Sequence, residues 1–419
     1  AEAPAGPPNV IVYVVDSLRA DHLGAYGYAG GTSPALDRFA EQATLFLHPS
    51  AQSSWTRTGV ASILTGADPW QHGVQGRLDA LAEDVPFLPE VLAARGYRTA
   101  GFVTNGNLSA GFGFGRGFET YEHLPETTSE WVHVTSADLH ARVLEWIDDG
   151  REDPRPFFLY IHSTDPHYPY RLDLGVEESV PLESPQWGSV ARVVDLQLGR
   201  AQAEIGELEA TVELYDREIA YNDHHFGLLV DSLRDRGLWR DALMVYTADH
   251  GEEFLDHGGW GHGQTLELEQ LHVPLVIRFP RQSQGLRIGN LVSQNDIAPT
   301  ILGYLGATWP DGRGQSLMPL VRPEPVPWNR VSLASLQLDG FSLASARFGT
   351  FFWIEKSATD GKFIHLTADP FGHRDQSASF PGWRDYLSAI LARAPQPRAS
   401  TAVTPDREVE KTLKSLGYI

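Results

Sequence analysis

Three apolar runs in this 419-residue chain each end in side chains that bind metals or move protons. NVIVYVV (residues 9–15) stops at Asp16. FFLYIH (157–162) leads into Ser163-Thr164-Asp165-Pro166-His167, and ALMVYT (242–247) is followed by Asp249 and His250. Two more groups belong with these: His262 within GWGHG, and Thr56 within SSWTRTGVASILTG, where a loop delivers a hydroxyl to the first turn of a short helix. A helix start presents unpaired N–H groups and a partial positive charge, so a hydroxyl there sits beside a ready-made anion site. Carboxylates, imidazoles and one hydroxyl together can hold a divalent cation and carry out group transfer, and such donors suit zinc or manganese. Each piece alone has an ordinary role, since Thr and Asp are common helix caps. It is the coincidence of three strand-end clusters that points to a site.

The elements that must position these groups follow from the same runs. Short, continuous, β-branched stretches read as strands buried on both faces of a parallel sheet, and in such sheets ligands bind beyond the carboxyl ends of the strands. Further strands are expected at 44–47, 98–103 and 273–279, the last interrupted by Pro274. Helices are expected at 33–42, 87–95, 131–149, 214–237 and 296–305. The Gly- and Phe-rich stretch 106–122 reads as a packed loop near the site. Residues 171–210 lack a clear period and read as an insertion or lid. Beyond about Pro310 the composition shifts to Pro, Gly and Arg, followed by strand-like pieces at 331–354 and a helix at 383–394. The expected fold is therefore α/β, with a mostly parallel central sheet and helices on both faces. Residues 1–309 would form the catalytic domain and 310–419 a smaller α+β subdomain.

Composition narrows the partners. A net charge of −21 spread along the chain argues against nucleic acid or an anionic membrane surface, which need a basic face. A small anionic substrate would then need local positive charge, which metal ions supply. The chain has no cysteine, so disulfides, thiolate nucleophiles and zinc–thiolate sites are all excluded. No apolar run approaches the ~20 residues of a membrane span. The lead Ala1-Glu2-Ala3-Pro4-Ala5-Gly6-Pro7-Pro8 fits a processed N-terminus, and a periplasmic or secreted location is expected. Oligomeric state is left open. Of the 16 histidines, His22, His72, His133, His224, His225, His257 and His272 read as hydrogen-bonded or surface groups.

Ordered along the chain, VIVYVVDSLRADHLGAYGY, TGVASILTGADPWQHGV, IHSTDPHYPY, LYDREIAYNDHHFG, YTADHGEEF, GWGHG with HVPLVI, and FIHLTADPFGHRD resemble the alkaline phosphatase superfamily. The resemblance is to its sulfatase and phosphonate monoester hydrolase branch. Family sulfatases carry Cys-x-Pro-Ser-Arg, whose cysteine becomes formylglycine, ahead of a Thr-Gly. Counting back from Thr65-Gly66 places Thr56 at the cysteine and Thr58, Gly59 and Val60 where Pro, Ser and Arg stand. Ser53, four residues before Arg57, would mimic a serine version only by lengthening the helix.

A threonine cannot become formylglycine, and this one resembles the threonine nucleophile of phosphodiesterase-type members. The resemblance implies a two-step displacement through a phospho-threonine on Thr56. It implies that Asp16, Asp249 and His250 hold the metal on the nucleophile side. Asp165, His167 and His262 would hold a second metal, or His167 and His262 would act on the leaving group. Arg57 and Asn105 are candidate contacts to phosphate oxygens, and Trp55, Tyr168 and Trp260 could shape a pocket for an apolar leaving group. One or two zinc ions are favoured, with manganese or calcium as alternatives. Ser17, in place of a second aspartate, weakens calcium, and so does the imidazole of His250. The expected function is hydrolysis of a phosphodiester or phosphonate monoester, with a phosphomonoester as a further option. The alternatives are a sulfatase without formylglycine, a phosphoglycerol or phosphoethanolamine transferase, and an inactive ligand-binding member.

Overall fold

VIVYVV forms the fully buried strand β1 (Val10–Val15), the inner strand against which the others align. The computed structural model describes residues 6–124, 134–170, 186–310, 312, 314–322, 324, 326–338, 340–357, 360–415, 417 and 418. Around β1 lie β2 (Thr44–Ser50), β3 (Arg98–Val103), β4 (Thr120–His123), β5 (Phe157–Ser163), β6 (Leu243–Ala248), β7 (Leu275–Arg278) and β8 (Leu286–Ser293). The eight strands run in the order β8-β2-β7-β6-β1-β5-β3-β4. All pairings are parallel except those of β7, which is antiparallel to both β2 and β6. β7 begins just after Pro274, which has no N–H for the ladder.

Helices cover the sheet in two groups. α1 (Pro34–Ala40) and α4 (Ser136–Asp149) each pack on α6 (Glu207–Asp235), and α2 (Thr56–Thr65) packs against α3 (Leu88–Ala93) and α7 (Ile297–Tyr304). α6 starts before the expected residue 214 and runs for 29 residues. Of the expected insertion 171–210, residues 171–185 lie outside the described residues. The remainder holds α5 (Val190–Gln197), capped by Ser189, and the start of α6. The start of the helix expected at 131, together with His133 and Ala1–Ala5, also lies outside the described residues. α4 itself begins at Ser136 with a capping box between Thr135 and Asp138. Beyond residue 310, β9 (Val331–Leu338), β10 (Phe341–Phe348), β11 (Phe351–Ser357) and β12 (Asp360–His365) form an antiparallel meander. α8 (Pro381–Leu391) packs on it through Leu387 and Leu391, and α9 (Arg407–Ser415) returns to the turn Gly106–Leu108.

α2 is buried along its whole length. It comes so close to the end of β6 that a Cβ at Gly59 would lie 2.6 Å from the Asp249 carbonyl oxygen, which is why glycine stands there. His72 braces the same helix. Its Nδ1 accepts from Val74 N–H at 3.1 Å, so its Nε2–H donates to Ser62 Oγ at 3.0 Å. Burial lowers the His72 imidazole to about 3. The folded protein then binds fewer protons here than the unfolded chain between pH ~6.5 and ~3, so stability falls as pH drops through that window. Replacing His72 by Gln should reduce the slope of unfolding free energy against pH there by up to about 1.4 kcal/mol per unit. Urea denaturation of both proteins across the window measures it, and equal slopes would contradict it.

Candidate active site

Strand register brings the candidate groups together. Val15 lies beside Ser163 on β5 and Ala248 on β6, so Asp16, the segment after Ser163, and Asp249 emerge side by side from one sheet end. Asp16 N–H continues the ladder to Ser163 O at 2.9 Å. The chain then turns sharply at Ser17, a non-glycine residue with φ 56°, whose N–H reaches Asp249 Oδ1 at 3.2 Å. Left-handed backbone at such a residue is unfavourable, and here the surrounding contacts hold it. Tyr215 of α6 fixes this loop, donating its hydroxyl to Ser17 O at 2.8 Å and accepting from Arg19 N–H at 2.9 Å.

Trp55, not Thr56, occupies the N-cap of α2, and no side chain caps the helix. Thr56 is the first helical residue and is fully buried, with Oγ1 3.2 Å from His250 Nε2. The imidazoles are oriented by what their other nitrogens touch. His250 Nδ1 lies 2.9 Å from Gly251 O and His167 Nδ1 hydrogen-bonds Tyr168 O, and since a carbonyl only accepts, both carry their proton on Nδ1. His262 Nδ1 likewise faces Glu252 Oε1 at 2.9 Å. His250 Nε2 is thereby turned toward Thr56 Oγ1, and His167 Nε2 accepts from the Tyr418 hydroxyl at 2.7 Å, while His262 Nε2 meets no hydrogen-bond partner among the described residues. The rings stand close, with centroids 4.4 Å apart for His250 and His262 and 4.9 Å for His167 and His262. Asn105 donates to Asp16 Oδ2 at 2.6 Å, and its own Oδ1 accepts from Asn107 N–H.

Two candidates are turned elsewhere. Asp165 accepts from the Ser136 amide at 2.7 Å and hydroxyl at 2.6 Å, so its Oδ2 anchors the start of α4. Arg57 leaves α2 toward the Gly-rich loop, donating to Asn107 O at 3.0 Å, to Asn107 Oδ1 at 2.9 Å and to Arg77 O. Its guanidinium carbon lies 3.5 Å from the centre of the Phe112 ring, and burial lowers its pKa to about 9. Three residues join the site that sequence reasoning did not single out. His162 is the last residue but one of β5, and atoms of Asp16, His162 and Asp249 lie within 4.8 Å of one another. Its sequence signal was a histidine inside an otherwise apolar run. Glu252 orients His262 and accepts from the Tyr170 hydroxyl at 2.9 Å. Tyr418 comes from beyond α9, and no sequence pattern marks it.

Asp16 and Asp249 are fully buried, and neither pairs with Lys or Arg among the described residues. Burial, and then the Asp249 charge, push the Asp16 carboxyl up; Asp249 is held low because His250 and His162 outweigh its own burial. Burial followed by His250 keeps His262 neutral, and burial raises Glu252 to about 8. Among the described residues Asp249 Oδ2, His162 Nε2 and His262 Nε2 have no hydrogen-bond partner, and His250 Nε2 is 3.6 Å from both Asp16 Oδ1 and Asp249 Oδ2. Buried, uncompensated carboxylates beside open imidazole lone pairs fit a divalent cation, and mixed nitrogen and oxygen donors fit zinc or manganese.

The fold fits the alkaline phosphatase superfamily. The chain belongs to the sulfatase family, whose sequence profile matches residues 8–307. Enzymes of this family are metal-dependent. The phosphonate monoester hydrolase of Agrobacterium radiobacter superposes with a TM-score of 0.77 at 20% identity, covering 92% of this chain and 95% of that one. The endo-4-O-sulfatase of Bacteroides thetaiotaomicron is 23% identical over 71% of this chain and 69% of its own length. Arylsulfatase A of Bos taurus is 27% identical over 74% of this chain and 66% of its own. No helix among the described residues is long and apolar enough to cross a membrane.

Proposed function

We propose that this chain hydrolyses phosphate esters, a phosphodiester or phosphonate monoester before a phosphomonoester, with Thr56 as nucleophile. The observation that carries this reading is Thr56 Oγ1 at the start of α2, 3.2 Å from His250 Nε2, in a chain with no cysteine to convert to formylglycine. Asp16, His162, Asp249 and His250 would hold one metal, and His167 and His262 face the space for a second. A divalent metal, when bound, acidifies the Thr56 hydroxyl and offsets charge on the phosphoryl oxygens. Thr56 Oγ forms the bond to phosphorus as the bond to the leaving oxygen breaks, and water later releases the phosphoryl group from Thr56. Asn105 Nδ2 donates to a phosphoryl oxygen. His167 Nε2 lies on the leaving-group side, as proton carrier or charge stabiliser.

The family match favours a second reading, sulfate-ester hydrolysis without formylglycine. Steady-state rates on matched aryl phosphate, phosphodiester, phosphonate and sulfate esters separate the two. The phosphodiester or phosphonate is expected to give the highest kcat/KM, and a clear preference for sulfate would replace the first reading by the second.

A further inference from the structure

Every group assigned to the transfer site is buried, Thr56, Asp16, Asn105, Asp249 and His250 completely and His167 and His262 to within 1%. The space between them is filled from within the chain. After α9, Tyr418 N–H bonds back to Leu413 O at 2.8 Å across Gly417, whose φ is 76°, and this turn points the phenol inward. Arg77 holds the Tyr418 carbonyl. The phenol oxygen lies 2.7 Å from His167 Nε2, 3.0 Å from Asn105 Nδ2 and 3.3 Å from Thr56 Oγ1. Its ring meets Trp55 edge-on, with centroids 4.9 Å apart at 75°.

The hydrogen-bond directions are determined. His167 carries its proton on Nδ1, so the Tyr418 hydroxyl donates to Nε2 and accepts from the Asn105 amide. One oxygen thus touches the nucleophile, an amide donor and an imidazole at once. An oxygen of the transferred group needs those same three partners, and the two cannot share the place. Among its described residues α9 buries Val409 and Leu413, while its Lys414–Glu410 pair is exposed. A short element with an exposed face opens at lower free-energy cost than the strands of the core.

We propose that Tyr418 is a resident stand-in for the oxyanion of the substrate, and that the α9 segment is a latch that must withdraw before an ester can bind. This rests on the transfer-site reading above. The apparent affinity of the site is then reduced by the fraction of molecules in which the latch is open. Removing the phenol removes the competitor.

The test is binding of inorganic phosphate and, separately, inorganic sulfate to the metal-loaded protein, by calorimetry, in wild type, Tyr418→Phe and Tyr418→Ala. Loss of this occupant should tighten binding of the preferred anion about 10-fold in Tyr418→Ala, with Tyr418→Phe in between. Hydrogen exchange of wild-type residues 407–418 should quicken at saturating anion, a readout that needs no variant to fold. Unchanged or weaker anion binding in both variants overturns the proposal, as does unaltered exchange in wild type or a result in which neither anion binds any form. If anion binding and exchange respond as expected while no ester is turned over, the latch stands and the hydrolase reading fails.

Discussion

Thr56→Ala is expected to lower kcat on the best ester by about 10⁴- to 10⁶-fold, the range seen when a covalent nucleophile is removed. KM should change little, because Asn105 and the proposed metal ligands are untouched. Thr56→Ser should retain far more activity. It keeps the oxygen but loses the β-methyl that limits χ1, so the hydroxyl spends less time facing His250 and a loss of about 10-fold is expected. The pair of variants separates a nucleophile from a positioning group, since a structural threonine would tolerate alanine as well as serine. Mass spectrometry of acid-quenched wild type during turnover should find on Thr56 the phosphorus group that the best ester leaves behind, an alkyl- or arylphosphoryl group from a diester or a phosphonyl group from a phosphonate. Near-wild-type kcat in Thr56→Ala would sink the mechanism.

The sequence showed most clearly those parts of the fold and candidate site that depend on one segment at a time. NVIVYVV and ALMVYT are strands because nothing but a doubly covered sheet accommodates uninterrupted β-branched runs, and Asp16 and Asp249 follow them directly. What was hidden depends on how segments meet. Asp165 reads as a metal ligand from its place after a strand, yet the start of α4 arrives beside it and its carboxylate goes to Ser136. Arg57 stands next to Thr56 in sequence, but successive helical residues point in different directions and it is drawn to Asn107 and Phe112 instead. His162 was masked by its apolar neighbours: alternation along β5 aims it at Asp249, 3.6 Å away, while the run as a whole reads simply as core. Tyr418 lies 362 positions from Thr56, and no local pattern reports such a contact.

Asp16→Asn provides the second large effect and tests whether the buried acidic pair exists for a cation. In the proposed site Asp16 would supply a full negative charge to the metal, and asparagine would supply at most a dipole. Metal affinity should therefore fall by more than the ~100-fold typical of losing a residue that merely orients a ligand. kcat should fall about 10³-fold or more, since the metal's contribution to the transition state is several kcal/mol. Elemental analysis of the purified variant should show little bound metal. The stability effect separates this reading from simple damage to the core. Asn fits the same hydrogen bonds, with its oxygen toward Asn105 Nδ2 and its amide toward Ser17 Oγ. With metal present, wild type should have the higher Tm because the ion binds only the folded state. After chelation the order should reverse or vanish, because wild type then keeps two buried carboxylates with no Lys or Arg between them and the variant keeps one. A chelated variant that melts well below chelated wild type would mean that Asp16 is held by the protein for its own stability, and the metal assignment would have to be withdrawn.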